Sequence, residues 1–135
     1  MITLAALEGV WCLDREIDDR RAGLTGRFVG EAIWAPDGAG LTQTETGLLR
    51  YGTAPPMQAT RRYIWREGHG GPEVFFADGR PFHQVTGTGA AHHDCPPDVY
   101  EVRYEVTDWP LWQSRWQVSG PRKDAVIISR YRRIP

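Results

Sequence analysis

The stretch DVYEVRYEV, residues 98–106, decides the fold class. Tyr100, Val102, Tyr104 and Val106 alternate with Glu101, Arg103 and Glu105, so an extended chain here carries one apolar and one charged face. The next segment, LWQSRWQV at residues 111–118, repeats the pattern with Trp112, Ser114, Trp116 and Val118 against Gln113, Arg115 and Gln117. Further out, Phe28, Gly30, Ala32 and Trp34 oppose Arg27, Val29, Glu31 and Ile33. The links between such segments are too short for parallel crossovers, so the strands are antiparallel neighbours. Fifteen glycines and ten prolines punctuate the chain at intervals that leave no room for a helix of ordinary length. Turn chemistry recurs at RRAGLTG, APDGAG, YGTAPP, EGHGGPE, ADGR, GTGA, CPPD, DWP and GPRKD. These connectors predict extended segments over 8–17, 25–34, 41–50, 58–66, 73–77, 80–86, 91–95, 98–107, 111–119 and 125–133. A meander of that size hides its edges by closing or by folding into two sheets. The expectation is an all-β chain: a single antiparallel up-and-down β-barrel of about 8–10 strands with little helix. One domain is expected over residues 1–135.

Charge narrows the partners. Sixteen Lys and Arg against 17 Asp and Glu give a net charge of -1, so no field favours a nucleic acid or an anionic membrane surface. The opening MITLAALEG has neither the basic nor the apolar region of a secretory signal, and no later stretch approaches a membrane span, so a cytoplasmic location is expected. In that compartment Cys12 and Cys95 are expected to be free thiols.

Three short motifs carry a resemblance. Gly9-Val10-Trp11 on the first segment resembles the G-x-W of lipocalins and other calycins, and Thr107-Asp108-Trp109 resembles their T-D-Y loop. The terminal SRYRRIP offers Arg130, Arg132 or Arg133 for the arginine that covers the tryptophan in that family, with Arg130 taken as the signature residue beside Gly9, Trp11 and Asp108. The resemblance implies a calycin-like, lipocalin-like barrel with Trp11 at its closed base. The ten segments bring it closer to fatty-acid-binding and nitrobindin-like barrels, so no ligand class transfers. Through GVWCLDREI, DGRPFH, HDCPPDVY and GPRKD the chain also resembles a family of small bacterial proteins of unknown function with a calycin-like fold.

Polar residues on otherwise buried faces point to a site. Arg15 shares the face of Trp11, Leu13 and Ile17; Gln43 and Glu45 share that of Leu41 and Leu49; Arg61 shares that of Tyr63 and Trp65. A buried charge needs a partner or water, and a small-molecule pocket supplies both. Arg15, Gln43, Glu45, Arg61, Tyr63, Tyr100, Tyr104 and Trp116 are therefore the candidate ligand-binding residues. The competing reading is an Arg–Glu–Tyr network that fills a narrow barrel.

The stretch GAAHHDCPPDVYE, residues 89–101, raises metal and nucleophile chemistry. His93 and Cys95 share one strand face, and a hairpin turning about Thr88 sets His83 opposite His93, a weak zinc-like trio. With no C-x-x-C or H-E-x-x-H, the expectation is no metal and no cofactor: Cys95 serves as an apolar residue and Asp98 caps the Pro96–Pro97 turn. The tip carrying Arg122 and Lys123 lacks the Gly-rich loop of a nucleotide site, so solvated turn charges are favoured there over a phosphate site.

The function expected is a small aromatic or anionic ligand held inside the barrel, with no catalytic residue. Two alternatives stand beside it. One is an enzyme using Glu45 with Tyr63 or Tyr100, or a metal at His83, His93 and Cys95; the other is a module that dimerises through Val126 and Ile128 if these face outward.

Overall fold

The structure, a computed structural model, describes residues 2–134. Ten strands follow a one-turn helix: α1 (Leu4–Leu7), β1 (Gly9–Asp19), β2 (Leu24–Pro36), β3 (Leu41–Tyr51), β4 (Met57–Arg66), β5 (Glu73–Phe76), β6 (Pro81–Gln84), β7 (Ala90–Cys95), β8 (Asp98–Glu105), β9 (Trp112–Gly120) and β10 (Lys123–Arg133). Each falls on one of the ten segments read from the turns. All ten lie in one antiparallel sheet, in the order β6-β5-β4-β3-β2-β1-β10-β9-β8-β7. The first strand pairs with the last, and the two edges, β6 and β7, are consecutive in the chain and joined by the Thr86–Ala90 turn. The sheet curls into a nearly closed barrel.

The period-two faces become inside and outside. Val102, Tyr104, Trp112, Ser114 and Val118 are buried, whereas Glu101, Arg103 and Arg115 are exposed. Gly30 lies directly across from Gly47, and a side chain at either would run into the facing backbone. This pair allows β2 and β3 to approach closely where Phe28 packs over Gly47.

Trp11 closes one end, with 0% of its surface exposed. Its indole N–H donates to the Leu7 carbonyl at 2.8 Å, tying the barrel to α1, and Trp109 and Trp112 pack edge-on against it at 5.5 and 5.8 Å between centroids. Trp109 comes from the Thr107–Trp109 loop, whose Asp108 carbonyl accepts from the Leu111 amide. The arginine over Trp11 is Arg133, 4.0 Å from the ring centroid, which also donates to the Ala6 and Glu8 carbonyls. This corrects the choice of Arg130, which points to the opposite face and pairs with Glu16 at 3.0 Å. Register gives the reason: Arg133 faces Trp11 across the β1–β10 ladder, while Arg130 faces Asp14. Gly9 has φ 131°, and a Cβ there would collide with the Arg133 guanidinium, so glycine is required in the G-x-W triplet.

The other end is open. β5 and β6 have four residues each, and β5 pairs only with Tyr63–Arg66, leaving the first half of β4 without a strand on that side. Both cysteines are free, Cys95 exposed and Cys12 half-buried. Among the described residues no helix is long and apolar enough to cross a membrane.

Candidate functional site

β1 and β3 set Arg15 and Glu45 into the barrel interior with β2 between them. The Arg15 guanidinium donates twice to Glu45, at 2.9 and 2.7 Å, and its Nε donates to the Ser129 hydroxyl at 2.7 Å. Gln43 donates to Glu45 at 3.0 Å and accepts from the Trp65 indole at 2.7 Å. Glu45 is 1% exposed and the Arg15 side chain 11%. Burial works against the Arg15 charge, but the Glu45 carboxylate more than offsets it and raises the guanidinium's pKa. Trp65, Gln43, Glu45, Arg15 and Ser129 thus form one hydrogen-bonded chain across the interior.

Deeper in, Tyr104 meets His83 at 2.8 Å, and Trp112 stacks on Tyr131 at 4.0 Å. The Trp34 and Trp112 indole nitrogens and His83 Nδ1 have no hydrogen-bond partner among the described residues. All three residues line an internal cavity of about 20 Å³, room for a single water. Burial holds the Tyr104 and Tyr131 phenols above their ordinary range.

At the open end lies a cavity of about 300 Å³ walled by Tyr63, Phe76, Phe82, Tyr100 and Trp116, with Arg61, Arg122 and Lys123 at its rim. A neighbouring cavity of about 150 Å³ shares Arg61, Trp116 and Ile127 with it and reaches down to Arg15 and Glu45. The mouth also holds Asp19 and Asp124. Asp19 accepts from the Tyr51 hydroxyl, and Lys123 pairs with Asp98 at 3.1 Å. Among the described residues Arg61 and Arg122 have no carboxylate partner. Arg61 faces Glu45 across the β3–β4 ladder, but Glu45 is taken by Arg15, so Arg61 donates to the Tyr63 hydroxyl at 3.2 Å. Tyr63 is pushed above its usual pKa, chiefly by burial and against the pull of Arg61.

The eight candidate ligand residues therefore separate into two groups. Arg15, Gln43, Glu45 and Tyr104 belong to the packed interior; Arg61, Tyr63, Tyr100 and Trp116 line the mouth. Arg61, expected inside, is exposed, because β4 runs out of the barrel at its start. Both oxygens of Glu45 are already hydrogen-bonded, which leaves that carboxylate unsuited to acid–base work with Tyr63 or Tyr100. The sequence reading missed Phe76 and Phe82, since EVFF and PFHQ are too short to show a period. It also kept Arg122 and Lys123 apart from the site, although barrel closure brings that hairpin tip to the mouth.

The His83, His93 and Cys95 trio is corrected. The turn does centre on Thr88, with Thr86 bonded to Ala90, but β6 and β7 are the sheet's two edges and form no ladder beyond it. Cys95 ends exposed, and among the described residues no three His, Cys, Asp or Glu side chains gather to hold a metal ion. His92 points outward between Glu101 and Asp94, at 2.6 and 2.9 Å.

His83 yields a pH prediction. Burial, helped by the nearby His93, pushes its imidazole down to about 3. The unfolded chain takes up this proton near pH 6.5, while the folded chain refuses it until about pH 3, so stability falls as pH drops through that window and is regained above it. One such group contributes a slope of up to about 1.4 kcal/mol per pH unit. His92, whose pKa is raised by Glu101 and Asp94, acts in the opposite direction but is solvent-screened. Urea unfolding between pH 6.5 and 5 should show the loss in the native chain and a flatter profile for His83→Gln; parallel profiles would refute a buried neutral His83.

A family model described as Family of unknown function (DUF6314) matches residues 7–133. Among solved structures, the S-type phycobiliprotein lyase of Guillardia theta superposes with a TM-score of 0.66 over 98% of this chain and 90% of that one, at 10% sequence identity. A likeness at that identity shows a shared fold. No curated protein shows significant sequence similarity to the chain.

Proposed function

Since the chain belongs to this family of unknown function, its activity has to be read from its own side chains, and we propose that it binds a small anionic aromatic molecule at the barrel mouth. The observation that carries the reading is an aromatic-walled cavity with Arg61 and Arg122 at its rim, neither paired with a carboxylate among the described residues. Aromatic walls supply area and stacking, while an exposed guanidinium orients a carboxylate, sulfonate or phosphate through charge-assisted hydrogen bonds. The packed Arg15–Glu45 layer forms the floor. The solved neighbour is named a phycobiliprotein lyase, and at 10% identity the likeness supports only the barrel that frames this mouth. At about 300 Å³ the cavity is at the small end of ligand pockets, so it suits a compact molecule of a few rings.

The test uses 8-anilinonaphthalene-1-sulfonate as probe, followed by its own emission and by quenching of tryptophan. Arg61→Ala should weaken binding about tenfold, the equivalent of about 1.4 kcal/mol, and leave thermal stability nearly unchanged because Arg61 is exposed. Unchanged affinity in this variant would remove the case for the mouth.

A further inference from the structure

We propose a second binding site on the outside of the barrel: a groove for a small dianion with an apolar body. The groove measures about 650 Å³ and crosses β2, β1, β10 and β9, within the size range of small-molecule sites. Its floor is Val126 and Ile128, which face away from the interior because Ile127, Ser129 and Tyr131 face into it. Although outward-facing, Val126 is only 6% exposed, sunk beneath a rim of long charged side chains.

The register shows how that rim is built. One transverse row runs Arg50, Arg27, Glu16, Ile128, Arg115, Arg103 across six adjacent strands. Arg27 stands directly opposite Arg50, and Arg115 directly opposite Arg103, an arrangement that destabilises a sheet unless an anion intervenes. Arg27 has Asp14 at 2.7 Å, but among the described residues Arg50, Arg103 and Arg115 have no carboxylate partner. Four guanidiniums line the groove, those of Arg20, Arg27, Arg50 and Arg115, against the two carboxylates of Glu16 and Asp18. Adding the outer partners Asp14 and Arg130 leaves the excess at two positive charges.

The spacing of those charges gives the shape of the ligand. The Arg27 and Arg115 strands are three strand spacings apart, about 14 Å; between them stand Glu16 and Ile128 in the same row, and Asp18 and Val126 beside that row. A molecule with an acidic group at each end and hydrocarbon between would place each charge on an arginine cluster and its body on Val126 and Ile128, past Glu16 and Asp18, whose carboxylates are held by Arg130 and Arg20. An extended twelve-carbon α,ω-dicarboxylate has this length.

Dodecanedioate and dodecanoate are the probes, titrated calorimetrically and by amide chemical shifts of the full chain. The dianion should bind about tenfold or more tighter than the monoanion, with shifts centred on Val126 and Ile128. Arg50→Ala and Arg115→Ala, both exposed positions, should each weaken dodecanedioate about five- to tenfold without lowering thermal stability. Equal affinity for the two probes, no binding of either, or insensitivity to both variants would overturn the groove. So would weakening by Arg61→Ala instead, which would place the dicarboxylate in the mouth.

Discussion

Glu45→Gln should destabilise the fold by about 3–5 kcal/mol, the cost of removing one partner of a buried ion pair. The amide keeps nearly the same volume, so little of the loss comes from packing. Arg15, by contrast, remains charged, and two of its donors lose a carboxylate at a position where the side chain is only 11% exposed. Gln43 and Trp65, which lean on the same oxygen in series, lose their anchor as well. Urea unfolding at neutral pH gives the number directly. A loss below about 1 kcal/mol would mean that the interior is wet and that the inner cavity reaches solvent. The double variant Arg15→Met, Glu45→Leu separates charge from shape: an apolar replacement of both partners should recover most of the stability, because neither ion then has to be desolvated.

That interior network is the part of the site the sequence came nearest to. Strand phase placed Arg15, Gln43 and Glu45 on buried faces, and a buried Glu45 needed an arginine. Which arginine was beyond phase alone. Arg61 stands directly across from Glu45 on the neighbouring strand, whereas Arg15 lies two strands away on the same face, and it is the curl of the sheet, not the ladder, that brings Arg15 to the carboxylate. The strands themselves were legible because turn residues and period-two faces are local. The mouth was not, since it arises where β5 and β6 stop short and where the Arg122–Lys123 tip swings over from the far side of the closed sheet. The outer groove was hidden for the same reason: the row from Arg50 to Arg103 gathers residues from six strands, and Val126 and Ile128 were legible only as an outward apolar pair.

The closed end makes the second large prediction: Trp11→Ala should cost about 3–5 kcal/mol, the range for truncating a fully buried large aromatic. The cavity would lie among Trp109, Trp112 and Leu7, and the Leu7 carbonyl would lose its donor, so α1 should loosen along with the base. Trp11→Phe keeps a ring but loses the indole donor and volume, and should fall between the native chain and Trp11→Ala. The arginines make the prediction specific. Arg133→Ala removes the cation over the ring, worth about 0.5–1 kcal/mol, together with hydrogen bonds to the Ala6 and Glu8 carbonyls. Arg130→Ala breaks only an exposed pair with Glu16 and should change stability by less than about 0.5 kcal/mol. Urea midpoints of the four variants should therefore fall furthest for Trp11→Ala and least for Arg130→Ala. If Arg130→Ala proves as damaging as Arg133→Ala, or if Trp11→Ala costs under about 1 kcal/mol, then the G-x-W triplet and the C-terminal arginine do not work as a unit.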